Sequence, residues 1–237
     1  MGTLLFLCLT HNGSSAPVKE RTLFLKRIIN DQNGAVLVEA TVMMSIILVF
    51  VLGSIEFLFV FYQWNAATKA VQVGARLAAV SDPVASGLNV LSVAVESRSL
   101  APGDAMPIFE IRCNGATMSC ECTGACVGVS GYDAKAMNTI IFGRGSSSCT
   151  DAKSFYSAGM CDIFTRIKPE NVTIAYVQTG LGYVDRPGGP VPTVMVALQN
   201  LPLQFFFLSG LLGLKNISIP PLTTSITGED LSTTAPM

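Results

Sequence analysis

The hydrophobic residues of this chain are concentrated in one long block near its N-terminal end. Residues 40–61 form a 22-residue run in which Glu56 is the only charged side chain. About 20 mainly apolar residues are enough for a helix to cross the hydrocarbon core of a bilayer. The pattern therefore predicts one membrane-spanning helix. Aromatic side chains crowd its far end, and Tyr62 and Trp64 are predicted to lie at the membrane interface there.

The helix is expected to continue beyond the apolar block. Residues 63–80 contain no proline, and Ser81, Asp82 and Pro83 supply a stop signal. Small side chains recur in this extension at every fourth position, at Ala66, Ala70, Gly74 and Ala78. Such a strip lets another element approach closely. Two interpretations stay open, because the strip can pack on the chain's own domain or against a neighbouring subunit.

The rest of the chain alternates short apolar segments with turns. Helices are predicted over residues 84–97 and 153–167, and residues 114–150 are predicted to be a loop held by crosslinks. Period-2 patterns and turn residues predict strands over residues 108–113, 172–178, 193–199 and 217–227. The predicted fold class is α+β, in which a single N-terminal transmembrane helix extends into a small disulfide-linked domain with an antiparallel sheet.

The chain divides by composition into three regions. Residues 1–34 are predicted to be a leader, residues 35–82 a transmembrane and extended helix, and residues 83–237 an α+β domain. Basic residues before the span outnumber those that follow it closely, which favours a cytoplasmic N-terminus. The basic residues before the span are Lys19, Arg21, Lys26 and Arg27.

Six of the seven cysteines follow the span. They are Cys113, Cys120, Cys122, Cys126, Cys149 and Cys161. An even set on the oxidising side of a membrane predicts three disulfides, although spacing alone does not fix their connectivity. The cluster lacks the paired C-x2-C spacing of zinc ribbons and ferredoxins, so neither a metal site nor a cofactor is predicted.

Residue types also argue against two function classes. The single histidine, His11, lies in the leader, so the domain after the span lacks the histidine of a Ser-His-Asp or Cys-His site. The net charge is −1 and there is no long basic run, so the electrostatic footprint of a nucleic-acid-binding protein is missing. We therefore predict neither an enzyme nor a nucleic-acid partner.

Residues 201–214 are conspicuously apolar for a connection between strands. They are expected either to join the core or to form an exposed patch that docks on a partner or on a membrane surface.

Two carboxylates accompany the apolar block. Glu39 either lies at the cytoplasmic edge and reaches water or has a role in assembly. If the chain is cut between Gly34 and Ala35, Glu39 can neutralise the new α-amine of a neighbouring subunit, which is the favoured interpretation. Glu56 lies roughly 25 Å further along the helix. It is expected at the outer interface, where hydration lowers the cost of its charge.

With these residues in view, the chain resembles the TadE-family pseudopilins of the tight-adherence (Tad/Flp) pilus system. The resemblance rests first on GAVLVEA at residues 34–40, GSIEF at 53–57 and AVQVGARLAAV at 70–80. It extends more loosely to VTIAYVQTGLGY at 172–183, PVPTVMVAL at 190–198 and ISIPPLTTSITGED at 217–230.

The resemblance implies a minor pilin-like subunit in the inner membrane of a Gram-negative bacterium. A prepilin peptidase would cut after Gly34, Ala35 would become the mature N-terminus, and Glu39 would be the glutamate typical of pilins. The C-terminal domain would lie in the periplasm or in an extracellular pilus. The implied partners are other pilin and pseudopilin subunits, the peptidase and inner-membrane lipid. The alternative is an uncleaved single-pass anchor that displays a disulfide-rich binding or sensor domain.

Overall fold

The computed structural model describes residues 32–91, 100–129, 131–149, 158–187, 189–207, 209–210, 213, 218–228 and 231. Within them the chain forms a long N-terminal helix followed by antiparallel strands and short helices, so the predicted α+β class is confirmed. The predicted leader, including His11 and Cys8, lies outside the described residues except at its last positions.

Helix α1 (Gln32–Ala79) contains the whole apolar block and its extension. It ends just before Ser81 and Pro83, as predicted, because proline has no N–H to continue the helical hydrogen bonds. By length and composition, Gly34–Ala79 is the one described helix able to cross a membrane. The chain divides into two compact units between Gly53 and Ser54, so the second unit includes the C-terminal part of α1.

Five antiparallel strands form the main sheet, in the order β3-β2-β5-β6-β7. Strands β5, β6 and β7 follow one another as a meander, whereas β2 pairs with β5 on the other side. The strands of this sheet are β2 (Phe109–Asn114), β3 (Ser119–Gly124), β5 (Val172–Val177), β6 (Thr193–Leu198) and β7 (Leu222–Thr227). A separate pair joins β1 (Ala85–Ser86) to β4 (Gly131–Tyr132).

Short helices accompany the sheet. Helix α2 (Ala134–Phe142) starts at Asp133, whose carboxylate accepts hydrogen bonds from the N–H groups of Lys135 and Ala136 and so satisfies the helix start. Helix α3 (Met160–Ile163) is a single turn. Two 3-10 turns, Leu88–Val90 and Pro169–Asn171, also lie among the described residues.

The core of the second unit joins the C-terminal part of α1 to the sheet and to α2 and α3. Alternate side chains of β5, including Val172, Ile174 and Tyr176, are fully buried, which fits the period-2 pattern of its sequence. The Tyr176 hydroxyl accepts a hydrogen bond from the N–H of Val84 at 2.9 Å, just after α1 ends. This bond fixes the turn that leads the chain from the helix to the sheet.

Three predictions of local structure are wrong over part of their length. Residues 84–90 of the helix expected over 84–97 contain β1 and a 3-10 turn instead, because Gly87 adopts φ +89° and a side chain there would overlap the Gly128 carbonyl oxygen. Leu91 is helical, and residues 92–97 lie outside the described residues. The region 114–150 contains β3, β4 and α2 in addition to loops. Only Met160–Ile163 of the predicted helix 153–167 is helical among its described residues.

The four predicted strands are present with shifted ends. The last of them begins at Leu222 instead of residue 217, since Pro220 and Pro221 directly precede it and cannot donate to a sheet.

Candidate processing site and the Glu56 junction

The residues of the predicted processing site lie in the first two turns of the described part of α1. Gly34, Ala35 and Glu39 are all exposed, and every residue from 34 to 50 is exposed as well. A side chain at position 34 would meet no atom within 4 Å. The first unit therefore leaves this segment open to whatever surrounds it.

The few polar side chains in the exposed apolar part of α1 are satisfied by the helix itself. The Thr41 hydroxyl donates to the Val38 carbonyl, and the Ser45 hydroxyl donates to the Thr41 carbonyl, each at 2.8 Å. Such bonds remove the cost of placing a hydroxyl in an apolar environment. Glu39 is thus the one ionisable side chain between residues 34 and 55.

The strip of small residues packs inside the chain's own domain. Ala70, Gly74 and Ala78 are buried, and Ala66 is half-buried against the same core. A Cβ at position 74 would overlap the side chain of Met160 in α3. Of the two interpretations of the strip, these contacts favour packing on the chain's own domain, and a role of the four residues in assembly stays a prediction.

Glu56 is the main departure from the sequence-based expectation. It was expected to be hydrated, but it is only 1% exposed. Its Oε1 accepts a hydrogen bond from the N–H of Phe206, and its Oε2 accepts one from the N–H of Phe207 at 2.7 Å. We call residues 203–207 the aromatic loop, and its contact with Glu56 the Glu56 junction.

A second polar contact lies two helical turns further along α1. The Gln63 side chain donates to the Gln204 carbonyl at 3.1 Å and accepts from the Gln204 N–H at 3.2 Å. Arg166 donates to Gln63 Oε1 at 2.8 Å and to the Pro202 carbonyl at 2.6 Å. Partial burial lowers the pKa of the Arg166 guanidinium. Together these bonds pin the aromatic loop to the helix at two levels.

Sequence reasoning identified Glu56 but missed Gln63, Arg166 and the loop backbone. One signal was available, since Glu56, Gln63 and Ala70 are seven residues apart and therefore share one face of the helix. That face continues through the buried small residues, which indicates a domain-facing surface.

The described part of residues 201–214 is divided between the core and an exposed patch, the two expected environments of this segment. Leu201 and Leu203 are buried in the core, whereas Phe206 and Phe207 are 61% and 50% exposed. The Phe206 ring contacts Phe59 of α1, with 4.8 Å between the ring centroids. Tyr62 on the same helix is exposed and Trp64 is half-buried, and their predicted place at the membrane interface stays a prediction.

The six cysteines of the domain form three disulfides, as predicted. Cys113–Cys120 links neighbouring positions of β2 and β3, Cys122–Cys126 closes the turn after β3, and Cys149–Cys161 ties the segment after α2 to α3. Among the described residues, no group of three His, Cys, Asp or Glu side chains is placed to hold a metal ion.

Comparison with known protein families gives a match to part of the chain. A family model described as TadE-like protein matches residues 34–76, which run from the predicted processing site to near the end of α1. No curated protein and no solved structure matches the chain. The TadE-like family is one of structural components and not of enzymes. Residues 34–76 of this chain thus match the TadE-like family, and the match relates the chain to the pilin-like proteins of the Tad pilus.

Proposed function

We propose that this chain is a minor pilin-like subunit, a pseudopilin, that acts in the assembly of a Tad/Flp-type adhesive pilus. In this proposal residues 1–34 are a cytoplasmic leader, residues 35–82 the pilin helix, and residues 83–237 a periplasmic domain. A prepilin peptidase cuts after Gly34. The partners are other pilin and pseudopilin subunits, and the inner membrane holds the chain before assembly.

The observation that carries this proposal is the state of α1 between residues 34 and 50. A glycine, a short apolar segment and Glu39 introduce an apolar helix whose side chains are exposed on all sides. An apolar surface of this size must be covered, either by lipid or by apolar helices of other subunits. A subunit that moves from a membrane into a filament requires a helix that lipid can cover before assembly and that the helices of other subunits can cover afterwards.

Glu39 supplies the reason for the cut in this proposal. Cleavage after Gly34 creates a positive α-amine at Ala35, four residues from the Glu39 carboxylate. A carboxylate in a low-dielectric environment is costly unless it is paired. When helices stack, Glu39 of one subunit pairs with the amine of the next, so the charge fixes how far one helix is displaced along the other.

The experiment that tests processing is the intact mass and N-terminal sequence of the protein extracted from membranes that contain the peptidase. A mature chain that starts at Ala35 is expected. Gly34→Val should leave the leader attached, whereas Gly53→Val is the matched control, since a Cβ meets no atom within 4 Å at either position.

A full-length chain in those membranes would contradict the proposal. It would instead favour the alternative function, an uncleaved single-pass anchor that presents the disulfide-linked domain for binding or sensing.

A further inference from the structure

The aromatic loop places exposed apolar side chains beside α1. Phe206 and Phe207 are exposed, and the Phe206 ring contacts Phe59 of the helix. All of these residues belong to the second unit. Exposed apolar patches of this kind mark surfaces that something else covers.

The position of the loop along α1 indicates what covers it. Glu56 and Phe59 lie inside the 22-residue apolar run, so the loop is level with residues that are apolar enough to lie in a bilayer. At 1.5 Å per residue, Glu56 lies about 9 Å before Tyr62 along the helix axis. The tip of the loop is therefore on the membrane side of the predicted interfacial aromatic belt.

A loop at this depth must satisfy its backbone, because no water is present there to hydrogen-bond free N–H groups. The N–H groups of Phe206 and Phe207 donate to Glu56, and both backbone groups of Gln204 bond to Gln63. The same bonds satisfy the buried Glu56 carboxylate, which would otherwise be costly in this environment. The same hydrogen bonds thus offset two desolvation costs, that of the loop N–H groups and that of the Glu56 carboxylate.

We propose that the aromatic loop is a second membrane-insertion element, with Phe206 and Phe207 buried among lipid acyl chains in the leaflet nearest the globular domain. Lipid is the occupant because Phe206 packs on Phe59, which lies inside the 22-residue apolar run of the helix. The globular domain is then held against the membrane at two points, the helix and the loop. The proposal requires α1 to span a membrane and does not depend on cleavage after Gly34.

The test uses the fluorescence of tryptophan, of which the chain has one, Trp64. The full chain with Trp64→Phe and Phe206→Trp is reconstituted in phosphatidylethanolamine–phosphatidylglycerol vesicles. Quenching is measured with lipids brominated on their acyl chains and, separately, with acrylamide in water. The indole at position 206 is expected to lose most of its emission in the brominated bilayer and to be little affected by acrylamide.

Ile108→Trp in the same background is the matched control. Ile108 is exposed and directly precedes β2, at the end of the sheet where Glu110 aligns with Val177 and Thr193. The aromatic loop follows Leu198, at the opposite end of β6. The control indole should respond to acrylamide and not to brominated lipid.

Two results would overturn the proposal. Quenching of position 206 by acrylamide, as at position 108, would place the loop in water. Shielding from both quenchers would mean that protein, and not lipid, covers the loop. Phe206→Trp is also measured with Trp64 retained, as a difference from the parent chain, so a folding defect caused by Trp64→Phe does not obscure the result.

Discussion

Glu56 Oε2 accepts a hydrogen bond of 2.7 Å from the backbone N–H of Phe207, although 151 residues separate the two in sequence. The bond joins the apolar part of α1 to the connection between β6 and β7. The N–H groups of the loop therefore donate to a residue of the helix, and not to a residue of the sheet. The position of the loop is therefore set by the helix.

Replacing Glu56 should destabilise the second unit. Glu56→Ala leaves two loop N–H groups without an acceptor, and each such group costs about 1–3 kcal/mol. We expect a loss of about 2–4 kcal/mol in the free energy of unfolding, measured by denaturant titration of the full chain in detergent. Glu56→Gln keeps one acceptor oxygen and should lose about half as much.

The control for Glu56 is Glu110→Ala. Glu110 forms an exposed ion pair with Arg112, so its removal should cost less than about 1 kcal/mol. Equal losses for Glu56→Ala and Glu110→Ala would show that the Glu56 junction contributes nothing to stability.

Glu39→Ala should block pilus assembly without reducing the amount of protein in the membrane. Removing an exposed carboxylate from the start of a spanning helix makes insertion more favourable, whereas it removes the proposed partner of the neighbouring α-amine. The two readouts are pilus formation by electron microscopy and the membrane level of the subunit. Thr41→Ala, a change on the same exposed part of the helix, should leave both unchanged. Normal pili in the Glu39→Ala strain would remove Glu39 from assembly.

Gly74→Val should destabilise the fold, because its side chain would overlap Met160. Overpacking of this kind costs about 1–3 kcal/mol. Met160→Ala makes room for the new side chain, so the double variant should lose less stability than the sum of the two single variants. Thermal unfolding in detergent provides the comparison. A Gly74→Val chain of full stability that fails to assemble would instead make this strip an intersubunit surface.

Stability should fall at alkaline pH because of Tyr176. Full burial raises the pKa of its hydroxyl above the ordinary value of 10.0, an effect that the hydrogen bond from Val84 only partly opposes. The folded state therefore holds this proton more tightly than the unfolded state does. The contribution of protonated Tyr176 to the free energy of unfolding is complete below about pH 10. Above that pH the free energy of unfolding falls by up to about 1.4 kcal/mol per pH unit.

Denaturant titrations at neutral and alkaline pH measure this slope. Tyr176→Phe should reduce the alkaline slope and should also cost about 1–3 kcal/mol at neutral pH, because the Val84 N–H loses its acceptor. Tyr132→Phe is the comparison, since Tyr132 is only half-buried and its removal should leave most of the slope. An unchanged slope in Tyr176→Phe would assign the alkaline transition to other groups.

The sequence predicted those elements whose signal is local. An uninterrupted apolar run followed by Pro83 is enough to define α1, and alternation is enough to define β5. Strand β3 was missed because Ser119–Gly124 has no large apolar residue and lies at the edge of the sheet, paired on one side by β2. Its place depends on a partner strand that local composition does not reveal.

The Glu56 junction could not be predicted for a different reason. Its donors are backbone N–H groups, which every non-proline residue has, so they leave no pattern in the sequence. The partners are also about 150 residues apart. A carboxylate in an apolar run predicted that a partner was needed, but only the fold brings Phe206 and Phe207 to it.

The separation of these partners along the chain has a consequence for biosynthesis. Glu56 leaves the ribosome 150 residues before Phe206 does. At about 5–20 residues per second, this interval is roughly 8–30 s. During that time the Glu56 carboxylate lacks the two hydrogen bonds that the N–H groups of Phe206 and Phe207 donate in the folded protein. The loop can dock only after this interval. A nascent or truncated chain that ends before residue 206 therefore carries the Glu56 carboxylate in its apolar helix without the two N–H donors of the loop.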